Sequence, residues 1–109
     1  METYIVTFSI DKAKNLKEKF EAVVDGLTRL GQEKGSSALA LTKTTWGLRS
    51  KRNKDYVRDY IYSILNQHGD DGKVFVIEIA RQGWSAHFPD DRVDMSKWMK
   101  QHVTRDEDD

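Results

Sequence analysis

The residues with the most to offer chemically are a run of cations, Arg49-Ser50-Lys51-Arg52-Asn53-Lys54, placed just before an apolar pattern of helical period. The start of a helix presents unpaired backbone N–H groups and the positive end of the macrodipole, so it attracts an anion. Four cations there oppose that dipole unless a ligand sits among them. The chemistry implied is contact with nucleic-acid phosphates, reinforced by Lys12, Lys14 and Lys17 at the beginning of an earlier helix. The competing reading is a solvated basic loop. Trp46, Trp84, Tyr56 and Tyr60 are candidates to stack on bases, although aromatics at strand and helix spacing more often fill a core or a dimer interface. His68, His87 and His102 fall at a helix end, in a loop and near the terminus, and none has a partner at metal-ligand spacing. No serine occupies a nucleophile elbow and no glycine pattern cradles a phosphate. The chain has no cysteine, which excludes disulfides, thiolate catalysis and zinc–cysteine sites.

Those residues must be positioned by a small frame. A chain of 109 residues fits one domain, expected over residues 1–103, followed by an acidic tail, 104–109, expected to be disordered. An apolar fraction of 38% with 33% charged residues suits a thin two-layer sandwich whose elements each show one face to water. The net charge of zero hides an asymmetry. Residues 1–54 carry 11 Lys/Arg against 6 Asp/Glu, or +5, and residues 55–109 carry 7 against 12, or −5. Opposed halves favour self-association, or a basic face beside an acidic tail. No apolar run approaches the length of a membrane span, and the opening segment is strand-like, so neither a span nor a signal peptide is expected, and a cytoplasmic location is.

Tyr4, Val6, Phe8 and Ile10 alternate with Ile5, Thr7 and Ser9, which predicts a first strand. Asp11 can end it and cap a helix running from Lys12 to about Gln32. Leu16, Phe20, Val23, Leu27 and Leu30 would form the buried stripe, with Lys12, Lys14, Lys17 and Lys19 mostly outside. Gly26 within the helix suggests close packing on the sheet. Ala38–Thr42 and Thr44–Leu48 read as two strands or one bent strand. Asn53 suits an N-cap for a helix from Lys54 to Gln67, whose stripe is Val57, Ile61, Ile64 and Leu65, flanked by Tyr56 and Tyr60. Lys73 to Ala80 is apolar on both faces except for Glu78, which predicts a central strand. Gly83 to Pro89 would add an edge strand or irregular strip. Met95 to Val103, with Trp98 and Met99, predicts a short helix docked on the sheet edge. The resulting expectation is an α+β fold: a ferredoxin-like βαββαβ two-layer sandwich with a short C-terminal helix, both long helices on one side and the other side free for a twin.

The segments Tyr4-Ile5-Val6-Thr7-Phe8-Ser9-Ile10, Thr44-Thr45-Trp46-Gly47-Leu48, Tyr56-Val57-Arg58-Asp59-Tyr60-Ile61, Lys73-Val74-Phe75-Val76-Ile77-Glu78-Ile79 and Gly83-Trp84, with the Trp98 helix, resemble small bacterial and phage SinR-like proteins. Those are similar in turn to the ferredoxin-fold subunit of CRISPR spacer acquisition and, more distantly, to the GhoS-type antitoxin ribonuclease. The resemblance spans residues 3–103. It implies a homodimer of the defence or toxin–antitoxin type, associated with RNA or DNA. It also implies a metal-binding aspartate near the end of the first strand, one from each subunit. Ser9 stands where that aspartate would fall, and Asp11 follows two residues later. A metal-dependent endonuclease would therefore rest on Asp11 and Mg²⁺ held by a symmetric pair, whereas the same carboxylate serves equally as a helix cap. The expected function is thus a homodimeric nucleic-acid-associated protein without efficient catalysis or a cofactor. The alternatives are the Asp11 endonuclease and a protein-interaction module that uses the acidic tail. The kinship requires both helices on one side and Val74–Ile79 away from the sheet margin.

Overall fold

Alternation along the opening segment produces strand β1 (Glu2–Ile10), which buries Tyr4, Val6 and Phe8 on one side. The computed structural model describes residues 1–10, 15–67, 72–79 and 93–103. After β1 come α1 (Leu16–Gln32), β2 (Ser37–Ala40), β3 (Thr45–Ser50), α2 (Lys54–Leu65), β4 (Gly72–Glu78) and α3 (Val93–His102). The strands form one antiparallel sheet in the order β2-β3-β1-β4. β2 and β3 are separate strands joined by a turn in which the Leu41 and Thr42 amides both donate to the Thr45 carbonyl.

The helical periodicities act as expected on one side of the sheet. Val23, Leu27 and Leu30 of α1 and Val57, Ile61 and Leu65 of α2 share a core with Tyr4, Val6, Phe8, Trp46 and Leu48. Asn53 caps α2, accepting a 2.7 Å hydrogen bond from the Tyr56 amide. Three readings of α1 change. The helix begins at Leu16, with Asn15 and not Asp11 at its N-cap position, and not at Lys12. Leu16 is 55% exposed, outside the stripe. Lys19 is buried, and its ammonium donates to the Leu65 carbonyl at 2.6 Å, capping the far end of α2 where the dipole is negative. Gly26 owes its place to α2 and not to the sheet: a Cβ there would lie 2.6 Å from Ile64 Cδ1 and 3.1 Å from Tyr60 Cε1.

β4 is not central but at the sheet margin, beside β1 alone. The connections explain why. β1-α1-β2 skips one strand position, which β3 fills, and β3-α2-β4 skips one, which β1 fills, so β4 must come to rest outside β1. Of the two conditions set for the kinship, the helices on one side are met and the strand away from the margin is not.

α3 corrects a further expectation. It lies across the far side of the sheet and not along its edge. The Trp98 indole N–H donates to Ser37 Oγ of β2 at 2.8 Å, its ring covers Gly47 of β3, and Thr3 Oγ1 of β1 donates to the His102 carbonyl at 3.1 Å. Trp98, Met99 and Val103 make a second cluster there with Leu39 and Ile79. The far side is therefore half covered by the chain itself. Among the described residues no helix is long and apolar enough to cross a membrane.

Candidate functional site

The basic run is divided by the register of β3. Arg49 pairs with Thr3 and points to the far side, where its guanidinium donates to Thr3 Oγ1 at 3.4 Å. Ser50 points into the core and its hydroxyl accepts from the Arg52 amide at 3.0 Å. Arg52 turns back toward α1, donating to both carboxylate oxygens of Glu33 at 2.8 and 3.2 Å, and its guanidinium stacks 4.6 Å from the centre of the Tyr56 ring. Such a forked pair has geometric specificity that a lysine would lack. From the core, the Tyr4 hydroxyl donates to the Arg52 carbonyl at 2.8 Å, and burial, followed by Glu78 and Glu2, holds the Tyr4 pKa above its ordinary value. The turn between β3 and α2 is thus tied at three points: Ser50, Glu33 and Tyr4. Lys51 and Lys54 project from it, exposed.

Lys17 is exposed on the first turn of α1, at the end of the helix layer where Lys19 meets Leu65. The length of α2, about 18 Å for its twelve residues, separates it from Lys54. The structure does not bring these two groups of cations together. Asp11, Lys12, Lys14 and Trp84 lie outside the described residues, as do His68, His87 and the acidic tail.

The aromatic candidates part company. Trp46 is buried in the main core. Tyr60 is half-buried, while Tyr56 is exposed and stacks on it with ring centres 6.1 Å apart. Together with Arg52 they make a short stack beside the basic turn. Phe75 and Ile77 read in the sequence as core of a central strand; on the marginal β4 they are 60% and 49% exposed. Their signal was present in the alternation of Lys73, Phe75 and Ile77, which marks one face of that strand.

Comparison finds no matching family model, no matching curated protein and no matching solved structure. The likeness to SinR-like proteins stands on the quoted motifs alone. Among the described residues no group of three His, Asp or Glu side chains is placed to hold a metal ion.

The Arg52–Glu33 pair gives the turn a pH dependence. The hydrogen bond from Arg52, then the charges of Arg52 and Lys51, hold the Glu33 carboxyl below its ordinary value against the opposing effect of desolvation. A depressed carboxyl contributes stability that is present above its unfolded pKa and lost as pH falls through the folded one. Glu33→Gln should therefore lower the unfolding midpoint near neutrality, and the gap to the wild type should narrow as pH falls below the ordinary glutamate value and through the depressed folded one. Thermal melts followed by circular dichroism across that range check this.

Proposed function

We propose that the chain is a small nucleic-acid-associated module on a ferredoxin-like frame, acting by binding and not by catalysis. Support for the frame comes from the order β2-β3-β1-β4, antiparallel throughout, with two crossover helices sharing one side. Support for the activity comes from one observation: the turn before α2 is fastened by Ser50, Glu33 and Tyr4, so that Lys51 and Lys54 are presented at a helix N-terminus. Fixing the backbone there costs entropy in advance and leaves less to lose when an anion binds.

Fluorescence polarisation with labelled RNA and DNA, at several salt concentrations, tests the reading. Lys51→Ala with Lys54→Ala should weaken binding to all sequences alike and reduce the slope of log affinity against log salt by about two, one for each lost phosphate contact. These lysines are better probes than Arg49 and Arg52, whose guanidinium groups already bond to Thr3 and Glu33. Absence of any signal at low salt removes the reading.

A second reading, self-association, draws on Phe75 and Ile77, which are large and exposed on a marginal strand. α3 already covers the part of the far side that lies over β2, β3 and the start of β1, so a twin would meet only the remaining strip.

A further inference from the structure

His102 closes α3 on the covered half of the far side. Its carbonyl accepts from Thr3 Oγ1 at 3.1 Å, and the same hydroxyl accepts from the Arg49 guanidinium at 3.4 Å, so one residue of β1 links the end of the helix to a cation of β3. The imidazole is half-buried and lies edge-on to the Trp98 ring, with centres 4.8 Å apart. Trp98 is what fastens α3, through its bond to Ser37 and its ring over Gly47. A proton on His102 would therefore set a second positive charge near Arg49, in a space partly closed to water and against the residue that holds the helix down.

The charges around it offer that proton little support. The Met1 amino group, just before β1, is another cation, and Glu2 pairs with Ser50 on the helix side. β2 has no ionisable side chain, and β3 brings Arg49, with the exposed Lys51 in the turn beyond it. On β4, Glu78 pairs with Tyr4 on the helix side and Lys73 stands at the other end of the strand. On α3 itself Lys97 and Lys100 are exposed, and Asp94 is eight residues back, about 12 Å along the helix. The negative end of the α3 dipole does favour the proton. Burial, and after it the charge of Arg49, act the other way and hold the His102 pKa below its ordinary value.

We propose that α3 is a pH-sensitive cover, docked while His102 is neutral and released when His102 takes up a proton. The docked state binds the proton less readily than the released one. Docking is thus strongest above the ordinary histidine value and is lost as pH falls from that value through the depressed one. Release uncovers Leu39 and Gly47 beside Arg49, so a closed part of the sheet becomes an apolar face with a cation on it. The device does not depend on the nucleic-acid reading.

Hydrogen exchange of the full chain, with rates corrected for the intrinsic effect of pH, tests it alongside an NMR titration of the His102 ring. Between about pH 7.5 and about pH 5 the amides of α3 should lose protection while those of α2 keep theirs. His102→Gln should hold α3 protection constant over that range. Arg49→Gln should lessen the loss and bring the His102 titration nearer to that of free histidine. Unchanged α3 protection in the wild type would overturn the proposal. So would an equal loss in His102→Gln, which would assign the effect to another group, such as Asp94 or the carboxylates of residues 104–109. Loss of α2 protection in step with α3 is global unfolding and would overturn it too. If His102→Gln leaves α3 undocked at every pH, Arg49→Gln decides: an undiminished loss with an unmoved His102 titration ends the proposal.

Discussion

Ile61→Ala should destabilise the fold by about 3 kcal/mol and lower the unfolding midpoint by roughly 12 °C. Ile61 is fully buried at the middle of α2, within the core that joins both helices to the sheet, and its Cδ1 lies 3.9 Å from where a Cβ on Gly26 would sit. Truncation removes apolar contact and leaves a cavity that two helices already in close approach cannot close. Ile61→Val removes one methylene and should cost no more than about 1.5 kcal/mol. Urea melts of the pair measure both values. A loss below about 1 kcal/mol for the alanine variant is what an exposed position would give, and it would contradict this packing.

Gly47→Ala should be a damaging single-methyl addition in the sheet. The added carbon would lie 2.6 Å from Cη2 and Cζ3 of Trp98. Those atoms belong to a rigid ring held at its other end by the 2.8 Å bond to Ser37, so neither side can yield by a simple rotation. β3 cannot retreat either, since it is hydrogen-bonded to β1 and β2. The expected response is that α3 lifts from the sheet, at a cost of about 2 kcal/mol. A double-mutant cycle isolates the cause: in a Trp98→Ala background, Gly47→Ala should cost only a few tenths of a kcal/mol. Equal costs in both backgrounds would place the strain in β3 itself. The main core on the opposite side should stay intact, with unchanged far-ultraviolet circular dichroism from β1, α1 and α2.

The parts of this architecture that the sequence announces are those written in short-range chemistry. Alternation marked β1, the periodic stripes marked α1 and α2, and Asn53 three residues before Tyr56 marked a helix start that the structure reproduces atom for atom. The errors concern which element lies beside which. β4 reads as a central strand because Val74, Phe75, Val76 and Ile77 look alike on both faces, yet two strand-skipping connections carry it to the margin. Lys19 reads as solvated because lysine usually is, and only the tertiary arrangement brings the Leu65 carbonyl to it. Gly47 and Trp98 are 51 positions apart in sequence, and nothing local links a bare Cα to an indole. The basic turn was legible as a charge run, but its division was not: strand register alone sends Arg49 to one side, and the distant Glu33 draws Arg52 to the other.

The ammonium of Lys19 also constrains the order of assembly. Its acceptor, 46 residues downstream, exists only as the terminal carbonyl of a completed second helix. Until that helix has wound to its end and settled on the sheet, the Leu65 carbonyl is not in place to accept from the ammonium. The bond therefore joins the first turn of α1 to the end of α2 only once both helices are in place, as a latch between elements far apart in the chain.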